Sequence, residues 1–195
     1  MATGTHESVD PRIRRTRLLL QDALVKLLEK KDFDEISVQD IAEAATVNRV
    51  TFYDHYPDKF ALLNCVVAGQ FHKLLSERSV KFDGTCSSAV TGIVLAVCDY
   101  LAGTPGAECA RQKQMESHLE SAIIAVVRGM ILEGLKSHPS AKSVAPEMIA
   151  ATASWAIYGA AKEWVQTPDR PASEQIAGTM VAMVSPILGF AHASV

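Results

Sequence analysis

The chain has 195 residues, of which 48% are hydrophobic and 21% charged, enough to bury a sizeable core as one compact unit or two small ones. That composition excludes disordered and collagen-like classes, and the longest apolar runs, 122–127 and 180–184, fall far short of the roughly 20 residues a membrane-spanning helix needs. The net charge of −3 argues against general affinity for nucleic acid, yet Arg12, Arg14, Arg15 and Arg17 concentrate positive charge within residues 11–17.

Residues 1–10 lack the basic-then-apolar layout of a secretory leader and are expected to be a disordered lead-in on a cytoplasmic protein. Ile13, Leu20, Ala23, Leu24, Leu27 and Leu28 then recur at helical spacing, predicting an amphipathic helix over 12–30. Phe33 should plug the connecting turn. A second helix opens at Ser37, an N-cap with Asp40 three residues on and the apolar pair Ile36 and Ile41 placed as a staple. Val38, Ile41, Ala42 and Ala45 form its inner face. The pattern repeats at Asn48, with Val47 before it and Phe52 four residues after. That third helix must stop near Tyr56, because Pro57 disfavours helical geometry in the residue before it.

From Asp58 a longer helix carries Leu62, Leu63, Val66, Val67, Phe71, Leu74 and Leu75 on one face, ending near the turn 81–85. Further helices are expected over 86–102, over 107–137 with a bend near Ser117, over 145–166, and over 172–191 with a kink at Pro186. The fold class is all-α, with residues 1–57 as one domain and 58–195 as the other. Cys65, Cys86, Cys98 and Cys109 have no CxxC or metal-ligand spacing and read as reduced, buried thiols, a redox-sensing pair being the alternative.

Two short helices joined through Thr46, Val47 and Asn48 make a helix-turn-helix, the first holding the second at an angle that lets its exposed face enter a DNA major groove. Phe52 points inward, leaving Arg49, Val50, Thr51, Tyr53 and His55 outside. Arginine reads guanine edges or phosphate, threonine and valine can meet a thymine methyl, and tyrosine and histidine donate to phosphate. The helix-capping residues Ser37 and Asn48 join this set. Arg14 and Arg15 are expected to reach phosphate or the minor groove.

Residues 33–63, FDEISVQDIAEAATVNRVTFYDHYPDKFALL, resemble the DNA-binding signature of the TetR/AcrR family of bacterial transcriptional regulators. The Ser-Val opening at 37–38, Asp-Ile-Ala at 40–42, Thr-Phe-Tyr at 51–53 and His-Tyr-Pro followed by Lys59 all fall in register. The resemblance implies backbone contacts for Thr51, Tyr53, His55 and Lys59, and positions near the bases for Arg49 and Val50. Two positions depart from the pattern: Thr46 stands where glycine is frequent, and Val50 where a small residue is common. The backbone at Thr46 is expected to take a permitted geometry near the glycine one. Asp54, on the same helix, would repel phosphate unless a basic group or a cytosine amino group faces it.

The resemblance also implies a C-terminal domain that dimerises and binds a small molecule, so that a ligand-responsive repressor grips a palindromic operator in double-stranded DNA. Small residues in the last two helices, Ala153, Ala156, Gly159, Ala160 and Ala161 with Ala177, Gly178 and Ala182, suit a close homodimer contact, the alternative being tight packing within the monomer. Phe71, His72, Tyr100, Met115, His118, Trp155, Tyr158 and Trp164 are large or polar groups suited to lining a cavity for a largely apolar effector. The helix at 58–80 would carry the signal between the two domains. No catalytic residue, metal site or cofactor is assigned: His72 and His118 are isolated, and Glu116 and Glu120, one helical turn apart, read as solvated charges. The rival readings are an all-helical dimeric binding protein or enzyme that does not recognise an operator, and a regulator that activates or answers protein partners.

Overall fold

The structure, a computed structural model, describes residues 10–84, 86–103, 113–137 and 144–189. Among these it contains α-helices, one short 3-10 turn and no strand. The helices are α1 (Pro11–Leu28), α2 (Val38–Ala44), α3 (Arg49–His55), α4 (Lys59–Glu77), α5 (Ser87–Gly103), α6 (Lys113–Ser137), α7 (Pro146–Gln166) and α8 (Ser173–Leu188), with the 3-10 turn at Phe33–Glu35. None is long and apolar enough to cross a membrane. The chain divides into two compact units, Met1–Val66 and Val67–Val195, and the division falls within α4.

In the first unit α1 packs on α2 and α3, and α2 on α3. Leu20, Leu24, Phe33, Ile36, Ile41, Phe52, Leu62 and Leu63 are buried, each large side chain contributing about 1.5–3 kcal/mol by leaving water. Phe33 fills the turn after α1 as its position in the sequence requires, and Phe60 meets it edge-on at 5.5 Å between centroids. Two expectations for α1 need correction. Asp10 is no part of a lead-in: its carboxylate accepts from the Arg12 amide at 2.8 Å and caps the helix, with Pro11 at the first helical position. Ile13, placed on the inner face by its spacing, is 39% exposed because the first turns of α1 run past the core, which begins at Leu20. Residues 1–9 lie outside the described residues.

In the second unit α5 packs on α7 and α8, α6 on α7, and α7 on α8. Val90, Ile93, Val94, Ala96 and Val97 of α5 are buried, as are Ile149, Ala153, Ile157, Tyr158 and Ala161 of α7. Residues 82–84 lie against α6, where Gly134 leaves no room for a side chain: a Cβ there would sit 2.7 Å from the Phe82 carbonyl oxygen. Pro186 leaves α8 continuing to Leu188, and Gly189, at φ 76°, closes it. Residues 104–112 and 190–195, which bear on the expected break after 103 and the expected end near 191, lie outside the described residues, as does Cys109. The reading of the cysteines as buried holds for Cys98, whose thiol burial pushes up to about 11, but Cys65 and Cys86 are exposed. Cys86 sits just before α5, where hydrogen bonds from Ser88 and the Ala89 amide hold its thiol below the ordinary value.

Candidate nucleic-acid interface

The geometry of the turn between α2 and α3 follows from how each helix is started and stopped. Ser37 and Asp40 close a reciprocal capping box: Ser37 Oγ accepts from the Asp40 amide at 3.1 Å, and Asp40 Oδ2 accepts from the Ser37 amide at 2.8 Å. Lys31 Nζ reaches the other carboxylate oxygen at 3.2 Å. The Ser37 hydroxyl and amide, and then the Lys31 ammonium, hold the Asp40 carboxyl at about 2 against an ordinary 3.8. Because the folded value is depressed, the stabilisation is fully present above about pH 4 and is lost as pH falls toward 2. Asp40→Asn should therefore melt earlier than the parent at pH 7, with the gap narrowing below pH 4. Thermal unfolding by circular dichroism at several pH values checks this, and a gap unchanged at about pH 2.5 would contradict it.

At the other end of α2, the Val47 amide donates to the Ala42 carbonyl at 2.9 Å and the Thr46 amide to that of Glu43 at 3.0 Å. This pair of bonds needs a left-handed residue between them, and Thr46 has φ 57°. The expectation that Thr46 escapes to another geometry is thus corrected: the closing bonds outweigh the strain of a β-branched residue there, about 1–2 kcal/mol. Thr46→Gly should raise stability by about 0.5–1 kcal/mol after glycine's own entropy cost, a rise of about 2 °C in Tm. Calorimetry decides it, and a lower Tm would show that Thr46 is unstrained.

The next helix begins at once. Asn48 Oδ1 accepts from the Thr51 amide at 2.7 Å and from its hydroxyl at 3.0 Å. Phe52 is fully buried, and Tyr56, extended at φ −140°, ends the helix before Pro57. The Tyr56 hydroxyl accepts from Gln21 Nε2 at 2.9 Å, tying the end of α3 to α1. The face opposite Phe52 is thereby presented outward. Val50 is 69% exposed and Tyr53 45%, while Arg49 is exposed and Thr51 and His55 half-buried. Arg49 Nη2 donates to the Tyr53 hydroxyl at 3.2 Å, with the guanidinium 5.5 Å from the ring centroid, so the pair is partly preorganised. Asp54 is exposed and in no ion pair among the described residues.

The remaining candidates divide. Arg14 and Arg15 are exposed on the first turns of α1. Ser37 and Asn48 are exposed, with their oxygens committed to the caps. Lys59 is placed differently: its ammonium donates to the carbonyls of Ile36 at 2.8 Å, Phe33 at 2.9 Å and Asp34 at 3.4 Å, and lies 4.6 Å from the Phe33 ring centroid. It anchors the start of α4 to the 3-10 turn. Sequence reasoning missed that anchor, the Gln21–Tyr56 bond and the Asp10 cap; only the last had a local signal, an aspartate directly before a proline.

The effector-binding candidates, all in the second unit, do not form one set. Phe71 is buried and meets Tyr100 edge-on at 5.7 Å; burial pushes the Tyr100 hydroxyl up to about 12, and it donates to Gln70 Oε1 at 3.2 Å. Tyr158 is buried on α7, pushed up to about 12 by burial and then by the charge of Glu120. Beside it Lys162 bridges Glu116 at 2.9 Å and Glu120 at 3.2 Å, so these carboxylates are an ion-pair link from α6 to α7 and not free solvated charges. Met115 and Trp164 are buried and His118 half-buried, whereas His72 is exposed and Trp155 is 56% exposed on the outer side of α7. Among the described residues no three of His, Cys, Asp and Glu converge as metal ligands.

Comparison with known proteins bears on the first unit above all. Residues 20–66 match the family described as bacterial regulatory proteins, tetR family. Over 62 residues, 31% of its length, the chain is 40% identical to the HTH-type transcriptional regulator YxbF of Bacillus subtilis, itself uncharacterized. Over 38 residues, 20% of its length, it is 53% identical to the HTH-type transcriptional regulator EthR of Mycolicibacterium smegmatis. These alignments span 16% and 18% of the two relatives. Among solved structures the fold is similar to that of Thermus thermophilus FadR, a TetR-family transcriptional repressor in complex with lauroyl-CoA, with a TM-score of 0.61 at 16% identity over 92% of this chain and 98% of that one.

Proposed function

We propose that the chain, whose residues 20–66 match the tetR family of bacterial regulatory proteins, is a TetR-type ligand-responsive repressor which binds a palindromic operator as a homodimer. One observation carries the proposal. On α3, Phe52 is buried while Arg49, Val50 and Tyr53 stand exposed, which is the division a major-groove helix needs. In this reading Arg49 and Val50 face base edges, Thr51, Tyr53 and His55 face phosphates, and Arg14 and Arg15 add phosphate or minor-groove contacts. Ser37, Asn48 and Lys59 serve the same surface chiefly by fixing its backbone, through the caps and the carbonyl anchor.

The homodimer forms through α7 and α8, whose outer faces carry small residues together with Met148, Trp155 and Met183. The effector is small and largely apolar, held in the second unit near Phe71, Tyr100, Met115 and Tyr158. The lauroyl-CoA bound by the Thermus thermophilus regulator makes acyl-CoA thioesters the first class to screen. An effector that favours one position of α4, an element both units share, alters the spacing of the two reading heads and lowers DNA affinity. The protein acts in the cytoplasm, and no catalysis is assigned to it.

Fluorescence anisotropy of the purified chain against DNA from immediately upstream of its own gene, beside a shuffled control, tests the proposal. Tight, salt-sensitive binding to the upstream sequence alone is expected. Equal weak binding to both would favour an all-helical binding protein or enzyme without operator recognition.

A further inference from the structure

Asp99 of α5 uses both carboxylate oxygens to join two elements far apart in the chain. Its Oδ2 pairs with the guanidinium of Arg78, the residue that follows α4. Its Oδ1 accepts from the hydroxyl of Ser173, the first residue of α8, at 3.1 Å. Both flanking elements make this joint matter. The turn after α4 is held by the Ser79 amide on the Ser76 carbonyl and the Val80 amide on the Leu75 carbonyl, with Ser79 left-handed at φ 52°, so the backbone around Arg78 is set. The start of α8 lacks a side-chain cap, since its N-cap is Ala172. Ser173 is buried, so its hydroxyl requires an acceptor.

That hydroxyl has a second choice. Glu174 Oε2, on the same helix, lies 3.3 Å away. One hydroxyl proton serves one acceptor at a time. The preference for Asp99 depends on the carboxylate staying turned toward α8, and the charge-assisted bond to Arg78 is what holds it there. Asp99 is about one-third exposed, so without Arg78 it is free to rotate toward water and leave Ser173 to Glu174.

We propose that Arg78, Asp99 and Ser173 form a conformational relay: displacement of the turn after α4 releases Asp99, and this loosens the first turns of α8. Its regulatory meaning rests on the reading of α8 as part of the homodimer contact. The relay itself is a claim about the second unit alone and is measured without DNA or effector.

Hydrogen exchange with mass spectrometry on the full chain tests it. Arg78→Met should speed exchange on the order of tenfold in residues 175–180, and Asp99→Asn should do the same, although among the described residues the hydrogen bond and ion pair of the Arg78 side chain are to Asp99 and not to α8. Core amides at 92–97 of α5 should keep their protection. Lys162→Met, which cuts the α6–α7 ion pairs instead, should leave 175–180 at the parent rate. Arg78→Met accelerating only residues 77–80, or accelerating 92–97 and 175–180 equally, would overturn the relay. Loss of DNA binding in the parent protein with the exchange pattern intact would count against the regulatory reading only.

Discussion

Arg49→Ala combined with Tyr53→Ala should weaken binding to the proposed operator at least about a hundredfold, while leaving the melting temperature nearly unchanged. The separation arises because both side chains are exposed on α3, whereas the core is held by Phe52 beneath them. A well-placed arginine at a base edge accounts for about 1–3 kcal/mol of discrimination, and a homodimer forfeits it at both half-sites. In the proposed complex Tyr53 would contribute twice: by its own hydroxyl at phosphate and by holding the Arg49 guanidinium, which donates to that hydroxyl and lies over the ring. Arg49→Ala alone should flatten the preference between matched and mutated operators. Arg14→Ala or Arg15→Ala should instead weaken all sequences alike and reduce the salt dependence by about one unit of slope for each phosphate that is no longer neutralised. Anisotropy titrations over a salt series distinguish these outcomes. Unchanged operator affinity in the double variant would remove α3 as the reading element.

Trp155→Glu should convert the proposed homodimer into monomers at concentrations on the order of micromolar, without disturbing the helical content. Trp155 and Tyr158 sit on different faces of α7: the tyrosine is buried in the bundle and the tryptophan is 56% exposed. Met148, Thr152 and Trp155 share a face of α7, and Met148 and Thr152 also line a shallow groove of about 360 Å³ with Pro186 and Ile187 of α8. Exposed tryptophan and methionine grouped on small-residue helices are the profile of a contact centre, where one aromatic accounts for about 2–4 kcal/mol. A buried carboxylate in its place adds a desolvation cost. Analytical ultracentrifugation of parent and variant checks this, and an unaltered dimer would locate the contact elsewhere. If two linked heads bind as proposed, the variant should also lose operator affinity while keeping only weak binding that does not depend on sequence.

What was legible in the sequence was local. The caps at Ser37 and Asn48, the paired Ile36 and Ile41, the inward Phe52 and the stop before Pro57 each depend on residues within one or two turns, and all stand in the structure. Thr46 was less legible because intrinsic preference opposes a left-handed threonine, and the two bonds that impose it come from the backbone. Lys59 was illegible for another reason. Its partners at Phe33, Asp34 and Ile36 are brought close only by tertiary packing, so the resemblance, which implied a DNA-backbone contact for it, gave no sign of the carbonyl anchor. The same holds for Arg78, Asp99 and Ser173. On α7, alanine and glycine occur on both inner and outer faces, and hydrophobic periodicity therefore did not separate outward Trp155 from inward Tyr158.

In the proposed complex two copies of this chain grip two symmetric half-sites through α3. Hydroxyl-radical footprinting on the DNA upstream of its gene is the most direct measurement of it. Two protected patches related by a dyad in the sequence are expected, their centres one helical turn or a small whole number of turns apart, about 34–36 Å for each turn. A single unsymmetric patch, or protection no different from that on shuffled DNA, would contradict it.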